Sequence, residues 1–202
     1  PKDIFLSVIN NSNKIFRNKD ALLLSYVPKK ILYRDEEILQ ISKALSPLLV
    51  GNMPTNLFIF GFTGTGKSLV TKKVVSDLIE VAKQNNLPIF SVYLNCKLYN
   101  FSRINEKEKD VSFSVIGISN VLNLKERLNP RVLSSLNPKE IIFKPYTAPE
   151  IEGIIRDRAE EAFYPDALEE GVIQKVAAIS AQEHGDVRKA LNLLRVAGEI
   201  AQ

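Results

Sequence analysis

Apolar positions along the chain follow two different periods in its first 145 residues. Leu57–Phe60 is a short, continuously apolar run, which is typical of a buried parallel strand. From Val70 to Ala82 the apolar side chains instead recur at helical spacing. Further apolar runs at 89–95, 112–119 and 141–143 predict three more strands. Strands that alternate with helices favour a parallel α/β sheet covered by helices.

The rest of the chain carries helical patterns or a polar arm. Residues 2–25 are mostly polar and predict an irregular arm, and Asp35 is predicted to cap a helix with apolar residues from Ile38 to Leu49. After Pro145 only helices are expected: Thr147 and Glu150 form a capping box for the first, and Asp186 caps the last. The sequence therefore predicts an α/β domain over 1–145 and a small three-helix lid over 146–202.

Composition limits the class of protein and its cellular location but does not identify a reaction. The chain has 202 residues, 45% of them hydrophobic and 25% charged, which is ordinary for a folded globular protein. One cysteine excludes an intramolecular disulfide framework, and no apolar run approaches the roughly 20 residues that span a bilayer. A net charge of +4 is compatible with a nucleic-acid partner. We expect a cytoplasmic protein with no membrane partner.

The most specific pattern is a phosphate-binding loop of the form G-x-x-x-x-G-K-[ST]. Its glycines allow backbone N–H groups to surround phosphate oxygens, its lysine can reach the β- and γ-phosphates, and its serine hydroxyl can ligate Mg²⁺. A chance glycine-rich turn would lack the strand before it and the amphipathic helix after it. We therefore predict that ATP or ADP with Mg²⁺ binds the following residues: Gly61, Phe62, Thr63, Gly64, Thr65, Gly66, Lys67 and Ser68, with Ser68 as the metal ligand.

Beyond this loop, several segments together resemble the archaeal replication initiators related to the origin recognition complex and the cell division control protein. These initiators are a branch of the AAA+ ATPases. The resemblance covers nearly the whole chain and implies an AAA+ P-loop domain followed by a small helical lid. The segments that carry it, besides the loop, are Tyr26–Pro28, Tyr33–Ile38, Val115–Asn120, Asn129–Leu136, Phe143–Tyr146 and Glu183–Leu191.

The resemblance implies catalytic roles for residues at four family positions. Asn120 matches the sensor-1 position beside the γ-phosphate, although a turn-forming asparagine after a strand is the alternative. Arg188 matches the sensor-2 arginine of the lid, with an exposed surface arginine as the alternative. Arg131 matches an arginine finger that acts on a neighbouring subunit's ATP, or it pairs locally with a carboxylate. The expected catalytic set is Lys67, Asn120, Arg131 and Arg188.

Further residues are implied to contact the nucleotide away from its terminal phosphates. Tyr146 and Arg158 match positions that contact it from the hinge and the first lid helix. Arg188 of the last lid helix also belongs to the expected nucleotide-binding set, but at the terminal phosphates. Val27 and Pro28 match the apolar wall around the adenine ring. For Tyr146, simple packing in the hinge is the alternative interpretation.

The function implied by the resemblance is an ATP-dependent DNA replication initiator. Its nucleotide state would control origin DNA binding and helicase recruitment, with slow hydrolysis of ATP to ADP. The expected partners are double-stranded origin DNA, other initiator subunits and the replicative helicase. Two alternatives stay open: a clamp-loader-like AAA+ ATPase, and a scaffold that binds ADP without hydrolysing ATP.

One feature of such an ATPase is missing from the sequence. An apolar strand that ends in Asp-Glu normally orients Mg²⁺ and the attacking water. The acidic run Asp35–Glu37 opens a helix before the phosphate loop and has no strand ahead of it. Our hypothesis is that a segment with this acidic pair is missing near residues 97–98. With Lys97 and Leu98 directly joined, hydrolysis should be very poor.

We expect the natural protein to be heavier than the 22.7 kDa of these residues and to release ADP on denaturation. Intact-mass measurement followed by peptide sequencing across this region checks the expectation. A peptide in which Lys97 is bonded directly to Leu98 would contradict the missing segment, and nucleotide binding alone would then remain.

Overall fold

The computed structural model describes residues 15–95, 113–121 and 129–201. Within these ranges the chain forms two compact units. Unit 1 contains residues 15–33, Gly61–Gly66 and 144–201, whereas unit 2 contains the described residues of 34–60 and 67–143. No helix in the described ranges is both long and apolar enough to cross a membrane.

Unit 2 is built on a three-stranded sheet with the strand order β2-β1-β3. Strands β1 and β2 run parallel, with Leu57 opposite Ile116 and Phe60 opposite Ser119. All five residues of β1 are buried, as expected for a strand that has neighbours on both sides. The predicted parallel α/β fold is therefore confirmed. The elements are α1 (Asp35–Leu45), β1 (Leu57–Gly61), α2 (Lys67–Gln84), β2 (Ile116–Ser119), α3 (Pro130–Leu136) and β3 (Lys139–Phe143).

The prediction of a strand at residues 89–95 is wrong. These residues form no strand, and the side chains of Phe90, Val92 and Tyr93 are 78%, 71% and 64% exposed. A strand needs a neighbour whose backbone N–H and C=O groups complete its ladder. Among the described residues the sheet contains only β1, β2 and β3, and residues 89–95 pair with none of them.

Unit 1 contains the predicted three-helix lid, formed by α4 (Ala148–Ala162), α5 (Val172–Gln182) and α6 (Val187–Ala201). The capping box at the start of α4 is confirmed, because the Glu150 carboxylate accepts hydrogen bonds from the Thr147 N–H and hydroxyl, each 2.8 Å long. Asp186 caps α6, with its Oδ1 accepting from the Arg188 N–H at 3.0 Å.

The polar arm predicted at the start of the chain contributes to the core of this lid. Phe16 is 3% exposed and stacks on Phe163 with ring centroids 5.0 Å apart. The Arg17 N–H donates to the Ala162 carbonyl at 2.8 Å, which ties this segment to the end of α4. Ala21 and Leu22 are also fully buried in the lid core. Phe16, Ala21 and Leu22 of the arm are therefore structural.

Helix α6 comes close to this aromatic pair at a glycine. A Cβ built on Gly198 would lie 2.4 Å from Cζ of Phe16 and 3.1 Å from Cε1 of Phe163. Both rings are buried, so neither can move aside into solvent. A glycine in the middle of a helix lowers its stability, and here the glycine allows the close packing of the rings.

We expect Gly198→Val to lower the free energy of unfolding by about 1–3 kcal/mol, because the added side chain overpacks the Phe16 and Phe163 rings. Ala197→Val is the matched control, since position 197 lies on the exposed side of the same helix. Its effect should stay within about 0.5 kcal/mol. Urea unfolding monitored by circular dichroism measures both variants. Equal losses would contradict the packing explanation.

Candidate functional site

The phosphate loop leaves the end of β1 and turns through three glycines. Gly61, Gly64 and Gly66 have φ angles of 149°, 75° and 89°, in the region that favours glycine. Thr65 is fully buried, and its hydroxyl donates to the Phe62 carbonyl at 2.9 Å. The three glycine turns and the hydrogen bond of Thr65 therefore shape the loop.

Helix α2 begins at the lysine of the loop. Lys67 is 5% exposed, and its carbonyl accepts a 2.8 Å hydrogen bond from the Thr71 hydroxyl one turn later. Ser68 follows in the first turn and is exposed. The positive end of an 18-residue helix therefore lies where the loop ends, an arrangement that favours an anion.

A lid carboxylate touches the loop within unit 1. A Cβ on Gly64 would lie only 1.7 Å from Oδ1 of Asp186, so the carboxylate fills the space beside this glycine. Asp186 is 4% exposed and also accepts a hydrogen bond from the Thr63 hydroxyl. The start of α6 thus contacts two consecutive residues of the loop.

The same carboxylate forms a two-point ion pair with Arg188. Nε of Arg188 lies 3.0 Å from Oδ1, and Nη2 lies 2.7 Å from Oδ2. Burial would raise the pKa of Asp186, but the hydrogen bonds and charge of Arg188 and the bond from Thr63 outweigh it, and the pKa is lowered. Hydrogen bonding to Asp186 raises the pKa of Arg188 in turn. Asp186 is therefore an ionised group inside the fold.

A stacked ring pair lies beside the loop. The rings of Phe62 and His184 are 5.5 Å apart and 12° from parallel. His184 and Gly185 both have positive φ angles, and a Cβ on Gly185 would lie 2.4 Å from the Tyr146 carbonyl oxygen. Tyr146 is 6% exposed and belongs to the lid core, so it packs as its alternative interpretation expects. Its contact with nucleotide stays a prediction.

Arg158 is buried against the segment predicted to line the adenine ring. Its Cζ lies 4.4 Å from the centroid of the Tyr26 ring, and its Nη2 lies 3.4 Å from the Tyr26 carbonyl oxygen. The Tyr26 hydroxyl donates to Glu161, which raises the pKa of that tyrosine. Val27 and Pro28 follow directly, with Val27 56% exposed.

One nitrogen of Arg158 is left unsatisfied. Nη1 is buried and has no hydrogen-bond partner among the described residues. Burial lowers the pKa of Arg158, because the charged guanidinium is poorly solvated there. A buried cationic donor of this kind is stabilised when a polar or anionic ligand accepts from it.

The other two predicted catalytic residues lie in unit 2. Asn120 is exposed and directly follows β2, at the sheet edge where β1 also ends. Arg131 lies in the first turn of α3 and is exposed, with its backbone N–H capped by the Asn129 side chain at 2.9 Å. The position of Asn120 fits a sensor at the end of a strand. Neither role is tested by these contacts.

Sequence reasoning missed the second role of Asp186, which it assigned only as a helix cap. The Asp-x-Arg spacing at a helix start is compatible with an ion pair, but it gives no sign that the carboxylate also reaches Thr63 and Gly64. Those contacts join residues more than a hundred positions apart in the chain. Only the fold brings them together.

Comparisons with known proteins agree with the fold of the chain. The Cdc6 AAA+ ATPase-type lid domain matches residues 152–202. The ORC1-type DNA replication protein of Pyrococcus abyssi is 38% identical over 258 residues, covering 95% of this chain and 62% of that protein. The Aeropyrum pernix ORC1 protein, solved in complex with DNA, is 31% identical with a TM-score of 0.82, covering 94% of this chain and 65% of that one. Cdc6p from Pyrobaculum aerophilum shares the fold at 18% identity and a TM-score of 0.71, covering 93% and 67%.

The chain spans about three fifths of the length of the curated relatives that it matches. The match to the Pyrococcus abyssi protein also contains gaps. It extends over 258 residues, whereas 95% of 202 residues is about 192, so the relative has about 66 residues opposite gaps in this chain.

We expect Gly64→Ala to destabilise the protein by about 1–3 kcal/mol more than Gly51→Ala, because only the former displaces Asp186. The two glycines have nearly equal φ angles, 75° and 74°. The free-energy cost of placing alanine in this left-handed conformation is therefore the same at both positions. A Cβ on Gly51 meets nothing within 4 Å. Denaturant unfolding measures both, and equal losses would contradict the close contact with Asp186.

Proposed function

We propose that this chain, which belongs to the ORC1 and Cdc6 family of AAA+ proteins, binds ATP and ADP as part of a DNA replication initiator. Its nucleotide state controls origin DNA binding and helicase recruitment. The observation that carries the proposal is the direct contact between the phosphate loop and the lid residue Asp186. A nucleotide bound at this loop adds negative charge beside the ion pair of Asp186 and Arg188, so the lid is in a position to respond to it.

The residues present fit an adenine nucleotide. The glycine-rich loop has the turns that phosphate binding requires, and the unsatisfied Nη1 of Arg158 is a donor that a ligand can satisfy. Lys67 holds the terminal phosphates, and Val27 with Pro28 forms the apolar wall for adenine. Ser68 would ligate Mg²⁺, which would neutralise charge on the phosphates. Tyr146 and Arg158 complete the contacts from the lid.

Hydrolysis is proposed as slow and dependent on a segment between Lys97 and Leu98. The 66 or so residues of the Pyrococcus abyssi protein that lie opposite gaps support this missing segment. Residues 96–112 lie outside the described ranges, so the join itself is not described. In this proposal Asn120 senses the γ-phosphate, and Arg131 acts across an interface between initiator subunits.

The proposed partners rest on the relatives. The Aeropyrum pernix ORC1 structure contains DNA, and the net charge of +4 in this chain is compatible with phosphate contacts. Double-stranded origin DNA and other initiator subunits are therefore proposed as direct partners. The replicative helicase is proposed as the partner that nucleotide state recruits, in a cytoplasmic, nucleoid-associated setting.

The scaffold that binds ADP without hydrolysis is the second candidate. It is favoured by one feature of the sequence, since no acidic pair follows an apolar strand in these 202 residues. The two candidates differ in turnover alone. Single-turnover decay of ATP on the full-length protein separates them, because the initiator hydrolyses ATP slowly and the scaffold retains it.

We expect Lys67→Ala to weaken ATP binding about tenfold to a hundredfold, because it removes a charged hydrogen bond to phosphate. Lys73→Ala is the matched control, since Lys73 lies on the exposed face of the same helix and pairs with Asp77. That variant should bind within about twofold of the natural protein. Calorimetric titration with ATP and with ADP gives both values. Equal affinities for the two variants would contradict a nucleotide site at the loop.

A further inference from the structure

We propose that Asp186 is a positioning residue, which holds the guanidinium of Arg188 at the phosphate loop so that it meets the terminal phosphate of a bound nucleotide. The inference rests on the proposed nucleotide binding and adds to it a residue with a defined task. Its basis is the contact of one carboxylate with three groups: the Thr63 hydroxyl, the Gly64 backbone and the Arg188 side chain.

The difference in burial between Asp186 and Arg188 indicates that the carboxylate restricts the arginine side chain. The Asp186 side chain is 6% exposed, whereas that of Arg188 is 49% exposed. A long, half-exposed arginine without this partner would sample many rotamers and would lose that freedom on binding a phosphate. The buried carboxylate restricts it before any ligand arrives. Such preorganisation strengthens binding without adding a contact to the ligand.

The geometry of the pair leaves part of the guanidinium for a ligand. Asp186 takes the edge formed by Nε and Nη2, at 3.0 and 2.7 Å. Nη1 of Arg188 has no hydrogen-bond partner among the residues that the structure describes. Because a guanidinium can serve two oxyanions through different edges, Arg188 can contact a phosphate oxygen without leaving Asp186.

The competing explanation is that Asp186 serves only as the N-cap of α6. Its Oδ1 accepts from the Arg188 N–H at 3.0 Å, which is sufficient for that task. Asparagine caps helices as well as aspartate does, yet it cannot form a charged two-point pair with arginine. The substitution Asp186→Asn therefore keeps the cap and removes the ion pair.

The experiment is a double-mutant cycle in the full-length protein, with Arg188→Ala, Asp186→Asn and the double variant. Dissociation constants for ATP and for ADP are measured by calorimetry, together with the thermal midpoint of each variant. Glu199→Gln is the matched control, since it also removes an acidic partner of an arginine on α6, at the far end of the helix. Asp186→Ser, which also keeps a capping oxygen, replaces Asp186→Asn should the latter fail to fold.

We expect Arg188→Ala and Asp186→Asn each to weaken ATP binding about fivefold to thirtyfold, and ADP binding by less. In the Arg188→Ala background, Asp186→Asn should change ATP affinity by less than about twofold, because the arginine it positions is already gone. Glu199→Gln should leave both affinities within about twofold of the natural protein.

Three outcomes for Asp186→Asn would overturn the inference. In the first, Asp186→Asn changes ATP affinity equally with and without Arg188. In the second, ATP affinity is unchanged or higher. In the third, the affinities for ATP and ADP fall equally and the thermal midpoint falls with them. Loss of binding in Lys67→Ala with no effect of Arg188→Ala would also overturn it, while leaving the proposed nucleotide binding intact. A natural protein that binds no nucleotide would refute both.

Discussion

The arrangement of unit 1 depends on one buried carboxylate. Asp186 is 4% exposed, and a carboxylate in such a place is stable only with hydrogen bonds and an opposite charge around it. The fold supplies the Thr63 hydroxyl from the phosphate loop and the guanidinium of Arg188 from the helix it caps. These partners require the loop and the start of α6 to lie together, with glycine at position 64 because a larger residue would displace the carboxylate.

A second constraint connects the beginning of the chain to the same lid. Phe16 stacks on Phe163 over the glycine at position 198, and Ala21 and Leu22 join Phe16 in the lid core. A few residues later, Tyr26 covers the buried guanidinium of Arg158 and donates to Glu161. The predicted adenine wall at Val27 and Pro28 is thereby fixed to α4 rather than left as part of a loose arm. Both predicted kinds of nucleotide contact, at the phosphates and at the base, thus involve lid residues.

Local signals in the sequence located most of the elements correctly. The capping box at Thr147 and Glu150 marks the start of α4 because both partners lie within four residues of each other. The continuous apolar run of β1 and the glycine pattern after it likewise need no distant information. The apolar run at 89–95 has the same character, but it forms no strand and pairs with none of the three strands of the described sheet. A periodic pattern reports what a segment can bury, not whether a partner is present.

The sequence by itself determined the phosphate loop, the parallel α/β sheet, the three-helix lid and the family resemblance. All of these depend on short spacings of glycines, caps and apolar residues. Only the tertiary structure decided that Phe16 belongs to the lid core, that Arg158 is buried beneath Tyr26, and that Asp186 joins Arg188 to Thr63 and Gly64. Such contacts link residues more than a hundred positions apart, and which distant groups meet is set by the packing of whole helices, which no local pattern encodes.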